Sequence, residues 1–179
     1  MRTHGGYGVG ARVFHWVTVL LVFVTIPIGL VMTQDLPRPT QNTLFTLHKA
    51  IGIILLLTIL ARLAWRLSVG APPPPDLPRA QLLAATTVHW ALYLLVFAMA
   101  VSGYVRVVSG GFPIEVLNAI GVPPLLPKNE ALASAAKVAH GTIAWVLIAT
   151  VTVHVAAALY HGLVRKDGVV SRMWPPFSA

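Results

Sequence analysis

Cysteine is absent from the 179-residue chain, which excludes disulfides, thiolate metal sites, iron-sulfur clusters and haem attached covalently through a C-x-x-C-H sequence. Charge is scarce: only 10% of the residues are Asp, Glu, Lys or Arg, and five acidic residues face thirteen basic ones. No Asp or Glu falls deep within a long apolar run, so a proton relay built on intramembrane carboxylates is disfavoured. The excess of basic residues does not point to nucleic acid either. They lie scattered at the ends of apolar runs rather than clustered among exposed aromatics, and membrane topology accounts for them better.

What the chain has in abundance is apolar sequence, 56% of its residues, with a mean hydropathy of +0.77. Four runs, at residues 13–32, 47–67, 82–108 and 132–164, each reach the roughly 20 residues that a helix needs to span hydrocarbon. They are continuous rather than alternating, which favours helices over a transmembrane β-barrel. The expected fold is all-α, an integral membrane four-helix up-down-up-down bundle, with residues 1–179 forming a single domain. The first run is too long for the apolar region of a signal peptide and no small-x-small site follows it, so it is expected to be a mature helix.

With four spans both termini share one side, together with the connection between the second and third helices. Arg2, Arg12, Arg62, Arg66, Arg79, Arg165, Lys166 and Arg172 fall on that side, against Arg38, Lys49, Arg106, Lys128 and Lys137 on the other. The positive-inside rule makes the termini cytoplasmic. The Pro72-Pro73-Pro74-Pro75 link after the second run is stiff and non-helical, since proline lacks the amide donor. The longer outer connection, residues 109–128, has room for a short interfacial helix over residues 112–120. A repeat is visible at a constant offset of 74 residues: His15-Trp16, Leu20-Leu21-Val22-Phe23 and Gly29 against His89-Trp90, Leu94-Leu95-Val96-Phe97 and Gly103. Internal duplication and the chance similarity of two apolar segments both explain it.

Of seven histidines, six (His15, His48, His89, His140, His154, His161) lie in or at the ends of the runs. An imidazole in hydrocarbon is costly unless it has a partner, so such residues read as functional. His140 and His154 are 14 residues apart, within about 40° of one face and roughly 21 Å apart along a helix. One helix thereby offers a ligand near each membrane surface, as two stacked haems require. His48, near the start of the second run, pairs by depth with His140. For the inner position both His15 and His89 remain open as partners of His154. Gly52 and Gly141 flank the outer histidines and remove bulk where a porphyrin approaches. Arg62, 14 residues after His48, falls at the inner level, where it is either a haem-propionate partner or a helix-end anchor.

His15-Trp16 opening the first helix, Leu47-His48 opening the second, His140 and His154, and the tail His154-Val155-Ala156-Ala157-Ala158-Leu159 with His161 and Arg165-Lys166-Asp167 resemble the bacterial cytochrome b561 family. The likeness is greatest to its short superoxide-oxidising members and covers essentially the whole chain. It implies two non-covalent haem b groups with axial ligand pairs His15 with His154 and His48 with His140. It also implies superoxide as periplasmic electron donor, ubiquinone as acceptor, and His161 and Arg79 as quinone neighbours. His161 follows His154 by seven residues, about 20° from the same face and roughly 10 Å nearer the cytoplasm. The expected setting is the bacterial inner membrane, in contact with lipid, and the partners are quinone and either superoxide or a redox partner protein. The alternative is a cytochrome b subunit linking a separate dehydrogenase or hydrogenase to the quinone pool. The chain's length, a complete four-helix unit without a docking extension, favours the first.

Overall fold

The computed structural model describes residues 5–174; Arg2, counted among the cytoplasmic charges, lies outside the described residues. Four helices are long and apolar enough to cross a membrane: α1 (Val9–Val31), α2 (Arg38–Val69), α3 (Arg79–Ser109) and α5 (Glu130–Leu159). The five-residue α4 (Glu115–Ala119) lies in the connection between α3 and α5, shorter than the 112–120 segment expected. There is no strand among the described residues. α1 packs on α2, α2 on α3 and α3 on α5, the neighbours of an up-down-up-down bundle.

The helices outrun their apolar segments, and the punctuation explains where they stop. Pro37 precedes α2 and Pro39 sits in its first turn, where a missing amide donor costs nothing. The polar stretch from Arg38 onward therefore extends the helix beyond the hydrocarbon, and His48 lies ten residues into α2 rather than in its first turn. His140 lies ten residues into α5 in the same way. At the head of α5 the Asn129 side chain accepts a hydrogen bond from the Leu132 amide at 3.0 Å. Pro78 precedes α3, so Arg79 is the first residue of that helix rather than part of the proline link. α5 does not run on as α-helix to residue 164. From Tyr160 to Arg165 it widens into a π-helical turn, followed by a 3-10 turn at Val170–Arg172.

Large apolar side chains face outward along every span, among them Leu20, Leu57, Leu94 and Trp145, each more than half exposed. Lipid is the medium in which that surface is stable. Several hydroxyls on the spans close onto their own helix, as Thr18 does on the Phe14 carbonyl, Thr58 on Ile54 and Thr150 on Val146, which pairs them without a partner from outside the helix. The buried centre is small: Val22, Leu55, Ile59, Val96 and Leu147, with Leu21, Tyr93 and Met99 packed against it.

Four of those five centre residues obey one rule. Val22 follows His15, Leu55 follows His48, Val96 follows His89 and Leu147 follows His140, each by seven positions. Another step of seven reaches Gly29, Arg62, Gly103 and His154. Seven residues are two helical turns, roughly 10 Å, so each span turns three residues inward, one in each of three tiers. At one end lie Gly29, His48, Gly103 and His140; in the middle Val22, Leu55, Val96 and Leu147; at the other end His15, Arg62, His89 and His154. Leu147→Ala, in the middle tier, is expected to cost about 2–5 kcal/mol, read as a lower unfolding midpoint in detergent. Leu94→Ala, on the lipid face, should leave that midpoint nearly unchanged. Equal sensitivity of the two variants would contradict the tiered core.

Candidate functional site

The tier nearer α4 brings His48 and His140 opposite each other across the bundle, their rings nearly perpendicular and their centres 6.2 Å apart. Both rings have room only because a glycine stands opposite. A Cβ added at Gly29 would lie 3.0 Å from His48 Cε1, and one at Gly103 would lie 3.0 Å from His140 Cε1. A Cβ at Gly52 or Gly141, by contrast, meets nothing within 4 Å. The glycines that make space are thus those of α1 and α3 in the repeat, not the ones beside the histidines in sequence.

His140 Nδ1 donates to the Met99 carbonyl at 3.1 Å and lies 3.1 Å from Ser102 Oγ. The carbonyl accepts only, so Nδ1 carries the proton and the Nε2 lone pair is left free, the arrangement that orients and strengthens a metal-ligating imidazole. His48 Nδ1 is buried without a hydrogen-bond partner. Next to His48, the Lys49 ammonium donates to Glu115 Oε1 and the Pro113 carbonyl, both at 2.7 Å, and so ties α4 over this end. Desolvation pushes the Glu115 carboxyl up, but the hydrogen bond from Lys49 and the other local contacts outweigh it and hold the carboxyl below its ordinary value. The link is therefore kept above the usual carboxylate range and lost only as pH falls below it.

In the tier at the terminal end, His154 faces two histidines. Its ring centre lies 6.4 Å from that of His15 and 5.4 Å from that of His89. Two imidazoles that share one metal in trans have centres about 6.3 Å apart, from a metal-nitrogen bond of about 2 Å and about 1.1 Å from nitrogen to ring centre. The pairs His48 with His140 and His15 with His154 have that separation. His89 stands about an ångström too close to His154. The iron-ligand chemistry of neutral imidazole thus fits both tiers, one pair in each.

Arg62 reaches the same tier. Its Nη2 donates to His15 Nδ1 at 3.0 Å, and its guanidinium carbon lies 5.1 Å from the Tyr93 ring centre, a cation-π contact. Since a guanidinium only donates, His15 here carries its proton on Nε2, the reverse of His140. Beyond this tier the chain ends and the proline link are tied together. Trp16 Nε1 donates to the Met173 carbonyl at 3.0 Å, the Tyr7 amide to the Arg172 carbonyl at 3.1 Å, and Arg172 to the Pro73 carbonyl. Trp16 and Trp174 pack edge to face with ring centres 5.1 Å apart.

His161 lies in the π-helical turn, displaced from the position a continuing α-helix would give it. Its Nδ1 donates to Asp167 Oδ2 at 2.6 Å. Arg79 opens α3, and among the described residues no hydrogen bond or ion pair joins it to His161. Sequence reasoning missed Met99, Ser102 and the part played by Gly29 and Gly103. Those two glycines were visible as the end of the repeat, but which histidine each one faces depends on how the helices pair.

A family model described as prokaryotic cytochrome b561 matches residues 6–176. A protein named cytochrome b561 homolog 2 from Escherichia coli (strain K12) is 36% identical over 171 residues, covering 93% of this chain and 90% of its own. A probable superoxide oxidase CybB from Yersinia pestis is 28% identical over 162 residues, covering 90% and 91%. Cytochrome b561 homolog 1 from Escherichia coli (strain K12) is 27% identical over 166 residues, covering 90% and 92%.

Gly29→Val and Gly103→Val are expected to displace the His48 and His140 rings and weaken cofactor retention in that tier alone. Haem content and the reduced-minus-oxidised spectrum of each purified variant are the measurements. Full retention in both would mean that the glycines do not shape the site.

Proposed function

Because the chain belongs to the prokaryotic cytochrome b561 family, whose members are haem-b proteins of membrane electron transfer, we propose that it carries electrons from superoxide at the periplasmic face to ubiquinone at the cytoplasmic side through two haem b groups. One observation carries this reading: two histidine pairs, at 6.2 and 6.4 Å, stacked in separate tiers of one bundle. His48 and His140 would hold the outer haem, and His15 and His154 the inner one. The spacing of the rings supports His15 over His89 independently of the family resemblance. Held there, the haem pair supplies one-electron transfer between the two faces.

The orientation follows from charge. Arg12, Arg62, Arg66, Arg79, Arg165, Lys166 and Arg172 belong to the end that holds the chain termini, which the positive-inside rule makes cytoplasmic in a bacterial inner membrane. At the opposite end Arg38, Lys49, Arg106, Lys128 and Lys137 outnumber Asp35, Glu115 and Glu130, a mild attraction for a small anion. Two superoxide ions each lose one electron and become dioxygen; one ubiquinone takes both electrons and two protons from the cytoplasmic side and becomes quinol. The name of the Yersinia pestis relative supports superoxide as donor.

Arg62 has a role at the inner tier. Were His15 to hold iron through Nε2, its ring proton would have to sit on Nδ1, which would open the contact from Arg62 and free the guanidinium for a haem propionate. His161, two turns beyond His154 toward the cytoplasm, is the hydrogen-bonding and proton-donating neighbour of the quinone. Arg79, at the head of α3 on the same side, is the second quinone neighbour.

Ubiquinone-containing liposomes carrying the purified protein test the substrates directly: superoxide generated outside is expected to yield quinol. Quinol formation only when a co-purifying dehydrogenase is supplied with its own substrate would replace this reading with that of a dehydrogenase-linked subunit. His140→Ala is expected to lose the outer haem alone and His154→Ala the inner one alone, while His89→Ala keeps both. A variant of either ligand that still holds two haems would refute its assignment. His161→Ala is expected to leave haem reduction by superoxide fast and slow haem reoxidation by ubiquinone about tenfold or more. Unchanged reoxidation would remove His161 from the mechanism.

A further inference from the structure

The segment after α5 is built around one contact. The π-helical turn Tyr160–Arg165 ends at Lys166, which takes the left-handed conformation with φ 50°, unfavourable for a residue with a side chain. Gly168 follows with φ 79°. Between them Asp167 turns back along the chain, and both of its carboxylate oxygens are used. Oδ2 accepts from His161 Nδ1 at 2.6 Å, and Oδ1 accepts from the Val169 amide at 3.3 Å. The carboxylate therefore has little freedom to swing away.

Its choice of partner is selective. Arg165 and Lys166 are its neighbours in sequence and both are cationic, yet Asp167 pairs with His161 and with neither of them. The histidine and aspartate side chains are 15% and 18% exposed, so both reach the surface while holding the bond. The hydrogen bond from His161 holds the Asp167 carboxyl below the usual carboxylate range. The acceptor thus stays ionised across neutral pH, and the contact is lost only when pH falls below that range.

The strap beyond Asp167 is anchored as well. Val170 packs so closely on the π-helical turn that a Cβ at Gly162 would lie 3.3 Å from its Cγ2. Three residues later the Met173 carbonyl is held by Trp16, the neighbour of His15 on α1. The dyad is fixed to the inner tier from both sides.

We propose that Asp167 is the positioning residue for His161. It keeps the imidazole with Nδ1–H turned into the carboxylate, so that Nε2 is the atom turned to the quinone and, in the doubly protonated ring, Nε2–H donates to a quinone carbonyl. The proposal rests on the reading of His161 as quinone neighbour. The doubly protonated ring gives its Nε2 proton to a quinone oxygen as the quinone takes up an electron. The ring is left neutral with its remaining proton on Nδ1, still bonded to Asp167, and cytoplasmic water returns a proton to Nε2. Two such deliveries, with the two electrons from two superoxide ions, complete one quinol.

The test uses the full-length, haem-loaded protein with Asp167→Asn, Asp167→Glu and His161→Ala. Nitrogen-15 spectra of labelled histidine read the His161 tautomer, and stopped-flow reoxidation by ubiquinone gives kcat and KM. Asp167→Asn is expected to abolish the preference for Nδ1–H and to lower kcat about tenfold, with KM changed much less, and Asp167→Glu to restore most of both. If His161→Ala slows reoxidation while Asp167→Asn leaves the rate and the tautomer unchanged, the positioning role is wrong although the quinone reading stands. If His161→Ala itself has no effect, the quinone reading fails, and the tautomer of Asp167→Asn alone decides whether the carboxylate sets the ring. Loss of haem from Asp167→Asn that Asp167→Glu does not reverse would make the contact structural and overturn the proposal.

Discussion

A seven-residue step along each span is the constraint from which the rest of this molecule follows. An α-helix returns to nearly the same face after seven residues, so a histidine at one end of a span commits the residue two turns on to the bundle centre and the residue four turns on to the far tier. Every span uses that step once on each side of its middle residue. α1 and α3 carry histidine, valine and glycine; α2 carries histidine, leucine and arginine; α5 carries histidine, leucine and histidine. The apolar middle tier, Val22, Leu55, Val96 and Leu147, separates two polar tiers that sit about 21 Å apart along the helix axes. A bundle with so small a buried centre holds its polar residues at two fixed depths because this register leaves them no other.

The register also explains the repeat. His15, Val22 and Gly29 precede His89, Val96 and Gly103 by 74 positions, and His48, Leu55 and Arg62 precede His140, Leu147 and His154 by a constant 92. The difference is absorbed in the connection that holds α4. Contacts obey the same correspondence. Gly29 makes room for His48 as Gly103 does for His140, and Arg62 meets His15 where His154 meets His89. The halves differ at one tier position, Arg62 against His154. That single departure gives the terminal tier a cation beside three histidines where a strict repeat would have placed four histidines.

Most of the fold was legible in the sequence because apolar length is a strong signal in a bilayer, where only helices satisfy their own backbone. Four spans, the non-helical proline link and the common end for both termini all followed from composition. The start of α2 did not, because the segment at residues 38–46 is largely polar yet helical behind Pro37 and Pro39, and hydropathy sees only the hydrocarbon; nor did the end of α5, which leaves the α-helix at Tyr160 for a π-helical turn. At the site, the 14-residue spacing of His140 and His154 announced two levels. What distinguishes His15 from His89 is a distance to His154 across the bundle, which no spacing along one helix supplies. Asp167 was invisible as a functional residue for another reason. Its partner is six positions back across a π-helical turn, and an α-helical projection puts the two residues out of reach.

The central claim is that one chain binds a haem in each polar tier. Haem counted per polypeptide in the purified wild-type protein, by pyridine haemochrome against amino-acid analysis, tests it most directly. The expected result is two b-type haems per chain, both low-spin in the oxidised state. A fully loaded protein with a single haem would contradict it, whichever tier that haem occupied.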